Sequence, residues 1–151
     1  MTVKIPPSVQ SFLADKPVMG SAEQVVPLLT VDSNGFPHAC LLSRAQLDAT
    51  ETEIRAAITS WGTRENIRRH GVALILVTQG DTVHHLKVGV LHAHDKNRVL
   101  LVAFELIAYK ADSLGIEMQP MTFLATPWIS NLEHWDETSI MLRSLDNHLN
   151  S

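Results

Sequence analysis

Strand-forming runs separated by tight turns fill residues 24–110 and restrict the fold of this chain more than any other feature. Ser33-Asn34-Gly35 and Gln79-Gly80-Asp81 are turn signals, because asparagine and glycine tolerate the positive φ that hairpin turns need. Residues 72–78 form a continuous apolar run, which is typical of a strand covered on both faces. Because only one short helix, residues 63–70, interrupts the strands, the pattern predicts a closed or nearly closed antiparallel β-barrel.

The element boundaries follow from local signals along the chain. Pro6-Pro7 delays a first helix until Ser8, and Lys16-Pro17 ends it after Asp15. Gly71 supplies the stop for the second helix. Gln46 to Thr52 has the polarity of a connection. The predicted strands are residues 24–32, 36–44, 53–60, 72–78, 82–94 and 99–110.

Beyond residue 110 the pattern predicts a short strand at 120–125 and a loop at Pro127-Trp128. Asn131 is expected to cap a helix running from about 133 to 149, with Trp135 and Leu142 on its apolar stripe. We therefore expect a single mainly β domain over residues 1–151, a β-barrel with flanking helices. Its barrel core is expected at about 22–125 and its C-terminal helix at about 131–149.

Composition and charge exclude several classes of protein. A chain of 151 residues with 45% apolar and 19% charged residues is long enough for one globular core. A net charge of −4 argues against binding that depends on neutralising nucleic-acid phosphates. No apolar run is long enough to span a membrane, and the first 14 residues lack a signal-peptide layout. A lone cysteine, Cys40, cannot form an internal disulfide, so the reducing cytoplasm is the expected location.

A hydroxyl-rich turn opening a basic helix is the first candidate site. The N–H groups of a helix's first turn lack intrahelical partners, and the helix dipole adds positive potential there. Ser60, Thr63 and Arg64 would add side-chain donors at the same point. The sequence thus predicts an anion site, and a phosphate is the ligand we expect. A capped surface helix without any ligand is the alternative.

Histidines on the strand at 82–94 are the second candidate. Strand alternation places His84, His92 and His94 on one face and His85 on the other. His92 and His94 could offer two imidazoles to a metal, but no cysteine or carboxylate cluster accompanies them at ligand spacing. We therefore predict no metal site. We expect these histidines to occupy polar positions on a half-exposed strand or at a dimer interface.

The order of three segments resembles the pyridoxamine 5′-phosphate oxidase-like, FMN-binding split-barrel family. The segments are Leu-Leu-Thr-Val-Asp-Ser-Asn-Gly-Phe-Pro-His at 28–38, Thr-Arg-Glu-Asn-Ile-Arg-Arg-His-Gly-Val-Ala-Leu at 63–74 and Lys-Val-Gly-Val at 87–90. The resemblance covers about residues 22–110. It implies an FMN-binding split β-barrel and a homodimer with FMN at the subunit interface. Carried over by position, the implied phosphate contacts are Ser43 or Arg44, Thr59, Ser60, Thr63 and Arg64.

Two departures from the family pattern limit what the resemblance implies. Glu65 stands where the family often has a lysine, and the tail lacks the family oxidases' Arg-Leu-x-Pro-like segment, so vitamin B6 oxidation is not expected. The expected function is an FMN-dependent oxidoreductase acting on a small molecule that the sequence does not specify, with no general acid or base assigned. The alternative is a non-catalytic binding or dimerisation module of the same fold, holding haem or a deazaflavin.

Overall fold

The computed structural model of the protein describes residues 3–145. Its helices are α1 (Pro7–Ala14), α2 (Trp61–His70), α3 (Pro127–Leu132) and α4 (Trp135–Arg143), and a 3-10 turn covers Arg44–Gln46. Its strands are β1 (Ala22–Gln24), β2 (Val26–Val31), β3 (Pro37–Leu42), β4 (Leu47–Ala49), β5 (Glu53–Ile58), β6 (Val72–Gln79), β7 (Thr82–Lys96), β8 (Val99–Ser113) and β9 (Thr122–Leu124).

Seven of the strands form one antiparallel sheet in the order β3-β2-β6-β7-β8-β5-β4. Its two edge strands, β3 and β4, follow each other in the chain, with Leu42 ending one and Leu47 beginning the other. Five residues of chain span at most about 18 Å, so the two edges lie close together and the sheet must curl. An opening remains between the edge strands β3 and β4, and residues 43–46 bridge it. We call residues 43–46 the seam. The predicted mainly β fold with flanking helices is confirmed.

The main hydrophobic core lies on the inner face of the curled sheet. Alternation along β2 turns Val26 and Leu28 inward, opposite Leu42 and Cys40 of β3. Helix α1 adds Val9 and Leu13, both fully buried, to the same core. Each strand therefore turns one of its faces toward this core, because successive side chains along a strand point to opposite faces of the sheet.

The chain after β8 packs outside the barrel. Leu142 and Leu145 bury themselves against Ala57, Leu101 and Ala103 on the outer face of β5 and β8. Trp135 joins Ala45 and Ala125 in a separate small cluster, and β9 pairs with β1 in a two-stranded sheet. The tail therefore covers the outer face of β5 and β8 and also packs against the 3-10 turn of the seam.

Three expectations about local structure were wrong. Residues 47–49, expected as connection, form β4 because the backbone of β5 is there to pair with them. Pro127, expected in a loop, begins α3, whose N-cap is Thr126; proline is pre-organised for the first helical position. Asn131 lies inside α3 rather than capping, and α4 follows His134 in a left-handed conformation. The predicted helix end at 149 lies outside the described residues.

The expected grouping of histidines was also wrong. A β-bulge interrupts the β7–β8 pairing between Val90 and His92, which reverses the alternation beyond it. His84 is therefore paired with Val77 of the inner core, whereas His94 is paired with Leu101 beneath the tail. These two imidazoles lie on opposite faces of the sheet.

Candidate functional site

Helix α2 begins at the end of β5 with a side-chain cap. Ser60 is the N-cap, and its Oγ accepts a 3.5 Å hydrogen bond from the N–H of Thr63, while its carbonyl accepts from the N–H of Arg64 at 3.0 Å. Gly71 ends the helix with φ of 68°, a conformation that favours glycine. The N–H groups of Trp61 and Gly62 have no acceptor within the helix and stay available to an anion.

Side-chain contacts hold α2 on strands β2 and β3. Asn66 Nδ2 donates to Thr30 Oγ1 at 3.0 Å between two buried residues. Gly62 lies against His38, since a Cβ at that position would be 3.4 Å from the imidazole Cε1. The first helical turn thus lies in contact with β3, and its N–H groups are fixed relative to the barrel.

Arg64, in the first turn of α2, is a half-buried cation without a counter-charge. Its Nε is completely buried and has no hydrogen-bond partner, and no carboxylate in residues 3–145 pairs with its guanidinium. The other arginines with little exposure, Arg44 and Arg55, are paired with Glu23 and Glu53. An unpaired, partly buried guanidinium is costly unless an anion joins it.

Thr63 lies beneath the helix rather than on its open side. Its side chain is fully buried, and its Oγ1 forms no hydrogen bond of acceptable geometry, although the hydroxyl is close to the Cys40 thiol. Burial raises the pKa of Cys40, and the neighbouring Thr63 hydroxyl partly opposes that rise in pKa. Cys40 is therefore a protonated, poorly reactive thiol in the floor under α2.

Arg44 and Ser43, at the seam, bind other parts of the chain. Arg44 Nε and Nη2 donate to Glu23 Oε1 at 3.0 and 2.7 Å, and Nη1 donates to the Phe12 carbonyl at 3.3 Å. Ser43 Oγ accepts from the N–H of Ala45 at 3.2 Å, and the Ser43 N–H donates to Gln46 Oε1 at 3.2 Å. The structure thus gives both side chains a role in closing the seam.

The six predicted residues fall into two neighbouring groups. Thr59, Ser60, Thr63 and Arg64 are consecutive or within one helical turn and surround the start of α2. Ser43 and Arg44 lie at the seam, and Gln46 connects the two groups because it bonds to Ser43 and lines a pocket together with Thr59. Residue type and spacing in the sequence did not reveal this division.

A histidine–tyrosine pair was missed by the sequence reasoning. His84 Nδ1 and Tyr109 Oη lie 2.6 Å apart, and the two rings stack with centroids separated by 5.7 Å. Burial lowers the pKa of His84. The contact depends on the register between β7 and β8, which no local sequence signal reports.

Residues 3–145 contain neither a cluster of metal-ligand side chains nor a membrane-spanning helix. Across residues 3–145 no three histidine, cysteine or acidic side chains are grouped as metal ligands would be. In the same range, no helix has the length and apolar character needed to cross a membrane.

Comparison with known proteins gives matches among solved structures. No protein-family model and no curated protein sequence matches the chain. An F420 reductase is 13% identical with a TM-score of 0.54, over 70% of this chain and 98% of that one. An FMN-binding protein from Syntrophomonas wolfei is 16% identical with a TM-score of 0.50, over 59% and 77%.

The flavin reductase of styrene monooxygenase from Pseudomonas putida S12 is similar over 78% of this chain and 93% of its own. It is 11% identical, with a TM-score of 0.54. The chain has the flavin-binding split-barrel fold. The resemblance seen in the sequence is therefore confirmed for the fold, and the seam at residues 43–46 bridges the opening of this split barrel. Identities this low carry no residue roles with them.

Proposed function

We propose that this split barrel binds FMN, with the phosphate at the start of α2, and uses it for oxidoreduction of a small organic molecule. The observation that carries the proposal is Arg64, half-buried beside the free N–H groups of Trp61 and Gly62 and without an acidic partner in the described residues. A dianionic phosphate would form an ion pair with the guanidinium and would accept hydrogen bonds from the free N–H groups of the helix terminus.

The residues present fit such a phosphate only in part. Thr59 is exposed and Ser60 and Arg64 are partly exposed at the α2 start, and all three would donate to it directly. Thr63 is fully enclosed beside Cys40, so its contribution is to hold the helix start in place. Ser43 and Arg44 keep their partners at the seam and are not part of the proposed contact set.

A bound flavin supplies hydride and electron transfer, and the protein supplies position and shielding. Trp61, the first residue of α2, is 70% exposed next to the proposed phosphate contacts. An indole in this place would cover part of a flavin ring and exclude water from it.

We also propose that the protein is a homodimer with the cofactor at the subunit interface. The outer faces of β3, β2 and β6 carry apolar side chains in register, with Leu41 opposite Pro27 and Leu29 opposite both Ala39 and Leu74. Leu41 and Val72 are about half exposed on this face, at 58% and 48%. A second copy of the sheet would cover such a surface.

FMN titration of the purified protein tests the proposal. We expect flavin absorption to remain with the protein, and Arg64→Ala to weaken FMN binding about 10- to 100-fold, since hydrogen bonds to charged groups contribute about 1.5–3 kcal/mol. Arg143→Ala is the control, because Arg143 is an exposed cation in the last turn of α4 and has no ion pair among the described residues. A colourless protein that takes up no FMN, or equal losses in both variants, would contradict the proposal.

A deazaflavin is the second candidate, because the F420 reductase shares the fold. The anchor at α2 would serve the phosphate of either cofactor, so parallel titrations with FMN and F420 decide between them. Binding of either one without turnover of any electron donor would favour the non-catalytic module.

A further inference from the structure

A pocket lies outside the barrel, under the chain that follows β9. It has a volume of about 440 Å³ and lies between the end of β5, the β7–β8 turn and the elbow that joins α3 to α4. Pockets of roughly 300–1,000 Å³ are the usual size for small-molecule sites. Half of its lining residues come from the tail, to which the family resemblance does not extend.

The pocket has an apolar floor. Ala57, Val99 and Met141 line it and belong to the cluster in which α4 packs on β5 and β8; Leu132 lines the same pocket. The organic body of a ligand would gain burial against this floor.

Two polar groups at the pocket lack hydrogen-bond partners. Thr138 is only 6% exposed and lines the pocket, yet its hydroxyl makes no hydrogen bond to any residue in the described range. Gln46 uses its Oε1 to accept from Ser43, and its amide Nε2 has no acceptor there. Neither polar atom is sealed from solvent, so a ligand with polar atoms in this pocket would have access to both.

Two carboxylates stand on the wall formed by the α3–α4 elbow. Glu133 Oε1 accepts a 2.9 Å hydrogen bond from Trp135 Nε1, which orients the carboxylate, and Glu137 has no hydrogen bond or ion pair with any described residue. Lys96 lies on another wall, is exposed, and pairs with neither carboxylate. The Glu137 carboxylate would therefore accept hydrogen bonds from a cationic ligand in the pocket.

We propose that this pocket binds a small organic ammonium compound with an apolar body. The ammonium group would donate to Glu137, Glu133 and the Thr138 hydroxyl, while the apolar body would cover Ala57, Val99 and Met141. Thr59 lines the same pocket and also belongs to the proposed cofactor contacts. Binding of the ammonium compound does not depend on the flavin. Its role as a substrate beside the flavin rests on the proposed function.

Calorimetric titration of the full, flavin-free protein with two matched probes tests the assignment. 2-Phenylethylamine carries an ammonium group, and 3-phenylpropanoate has a similar apolar body with a carboxylate. We expect the amine to bind at least about tenfold more tightly than the acid. Glu137→Gln and Thr138→Val should each weaken amine binding, Glu137→Gln by about tenfold and Thr138→Val by a smaller factor. Glu117→Gln, which removes an exposed carboxylate away from the pocket, should not change it.

Circular dichroism of each variant shows whether it is folded. Equal binding of both probes, no binding of either, or amine binding that survives both pocket substitutions in folded protein would overturn the assignment. Arg64→Ala separates this site from the cofactor site, because it should weaken FMN binding and leave amine binding unchanged. Loss of amine binding in Arg64→Ala would contradict a separate pocket.

Discussion

Two arginines near the opening of the split barrel have opposite environments. Arg44, at the seam, gives two hydrogen bonds to Glu23 and one to the Phe12 carbonyl, and its guanidinium lies 4.9 Å from the centre of the Phe12 ring. Arg64, at the start of α2, has a buried Nε that finds no partner among residues 3–145. Both residues follow a hydroxyl-bearing residue, Ser43 or Thr63, so residue type does not distinguish them.

The difference between Arg44 and Arg64 indicates which guanidinium stabilises the fold and which is open to a ligand. A buried pair that is complete, such as Arg44 with Glu23, needs nothing further and becomes costly only when one partner is removed. A half-buried charge without a counter-ion lowers stability until an anion binds to it. The comparison therefore indicates a structural role for the seam and supports the anion site that we propose at the start of α2.

The largest effect is expected from Glu23→Ala, which leaves Arg44 buried without its counter-charge. The free energy of unfolding, measured by urea denaturation, should fall by about 3–5 kcal/mol. Glu51→Ala is the control, because its ion pair with Lys4 is mostly exposed and should contribute little to stability. Equal losses of the free energy of unfolding in the two variants would contradict a structural role for the seam.

Arg64→Ala should separate binding from stability. FMN affinity is expected to fall about 10- to 100-fold, while riboflavin, which has no phosphate, should bind both proteins equally. The free energy of unfolding should stay the same or rise slightly, because an uncompensated charge is removed. Fluorescence titration with the two flavins measures the first effect. A parallel loss of riboflavin binding would show that Arg64 does not act on the phosphate.

Gly62→Ala probes how closely α2 must approach β3. The added methyl would lie 3.4 Å from His38 Cε1, which is an ordinary contact with the end of a side chain. Alanine also favours the helix by up to about 1 kcal/mol. We expect stability to stay the same or to rise by up to about 1 kcal/mol, and FMN affinity to fall a few-fold because the methyl lies next to the proposed phosphate contacts. An unchanged affinity in the folded variant would show that the spacing is not critical.

The smallest effect concerns Cys40, in the floor below the α2 start. Burial raises its pKa above the usual 9.0, so the unfolded chain releases this proton at lower pH than the native protein does. The free energy of unfolding therefore falls as pH rises above about 9.0, because the thiol ionises more readily in the unfolded chain. Iodoacetamide labelling at pH 8.5 should be much slower in native protein than in urea, with Cys40→Ala as the blank. Fast native labelling would show that the floor is open.

Local chemistry explains which elements were predictable from the sequence. The hairpin at residues 32–36 and the start and stop of α2 at Ser60 and Gly71 depend on side chains and φ angles close by in the chain. Strand β4 could not be predicted, because its three residues pair only when β5 is beside them. The faces of His84 and His94 were assigned wrongly because a bulge in β7 reversed the alternation.

By itself, the sequence determined the mainly β fold, the placement of α2 between two strands and the donors gathered at its start. These features follow from the period of side-chain burial and from capping within a few residues. Only the tertiary structure decided that Arg44 is paired while Arg64 is not, and that the tail leaves a pocket beside Thr59. Charge pairing and pocket shape depend on residues such as Glu23 and Glu137, which are distant in sequence and meet only after folding.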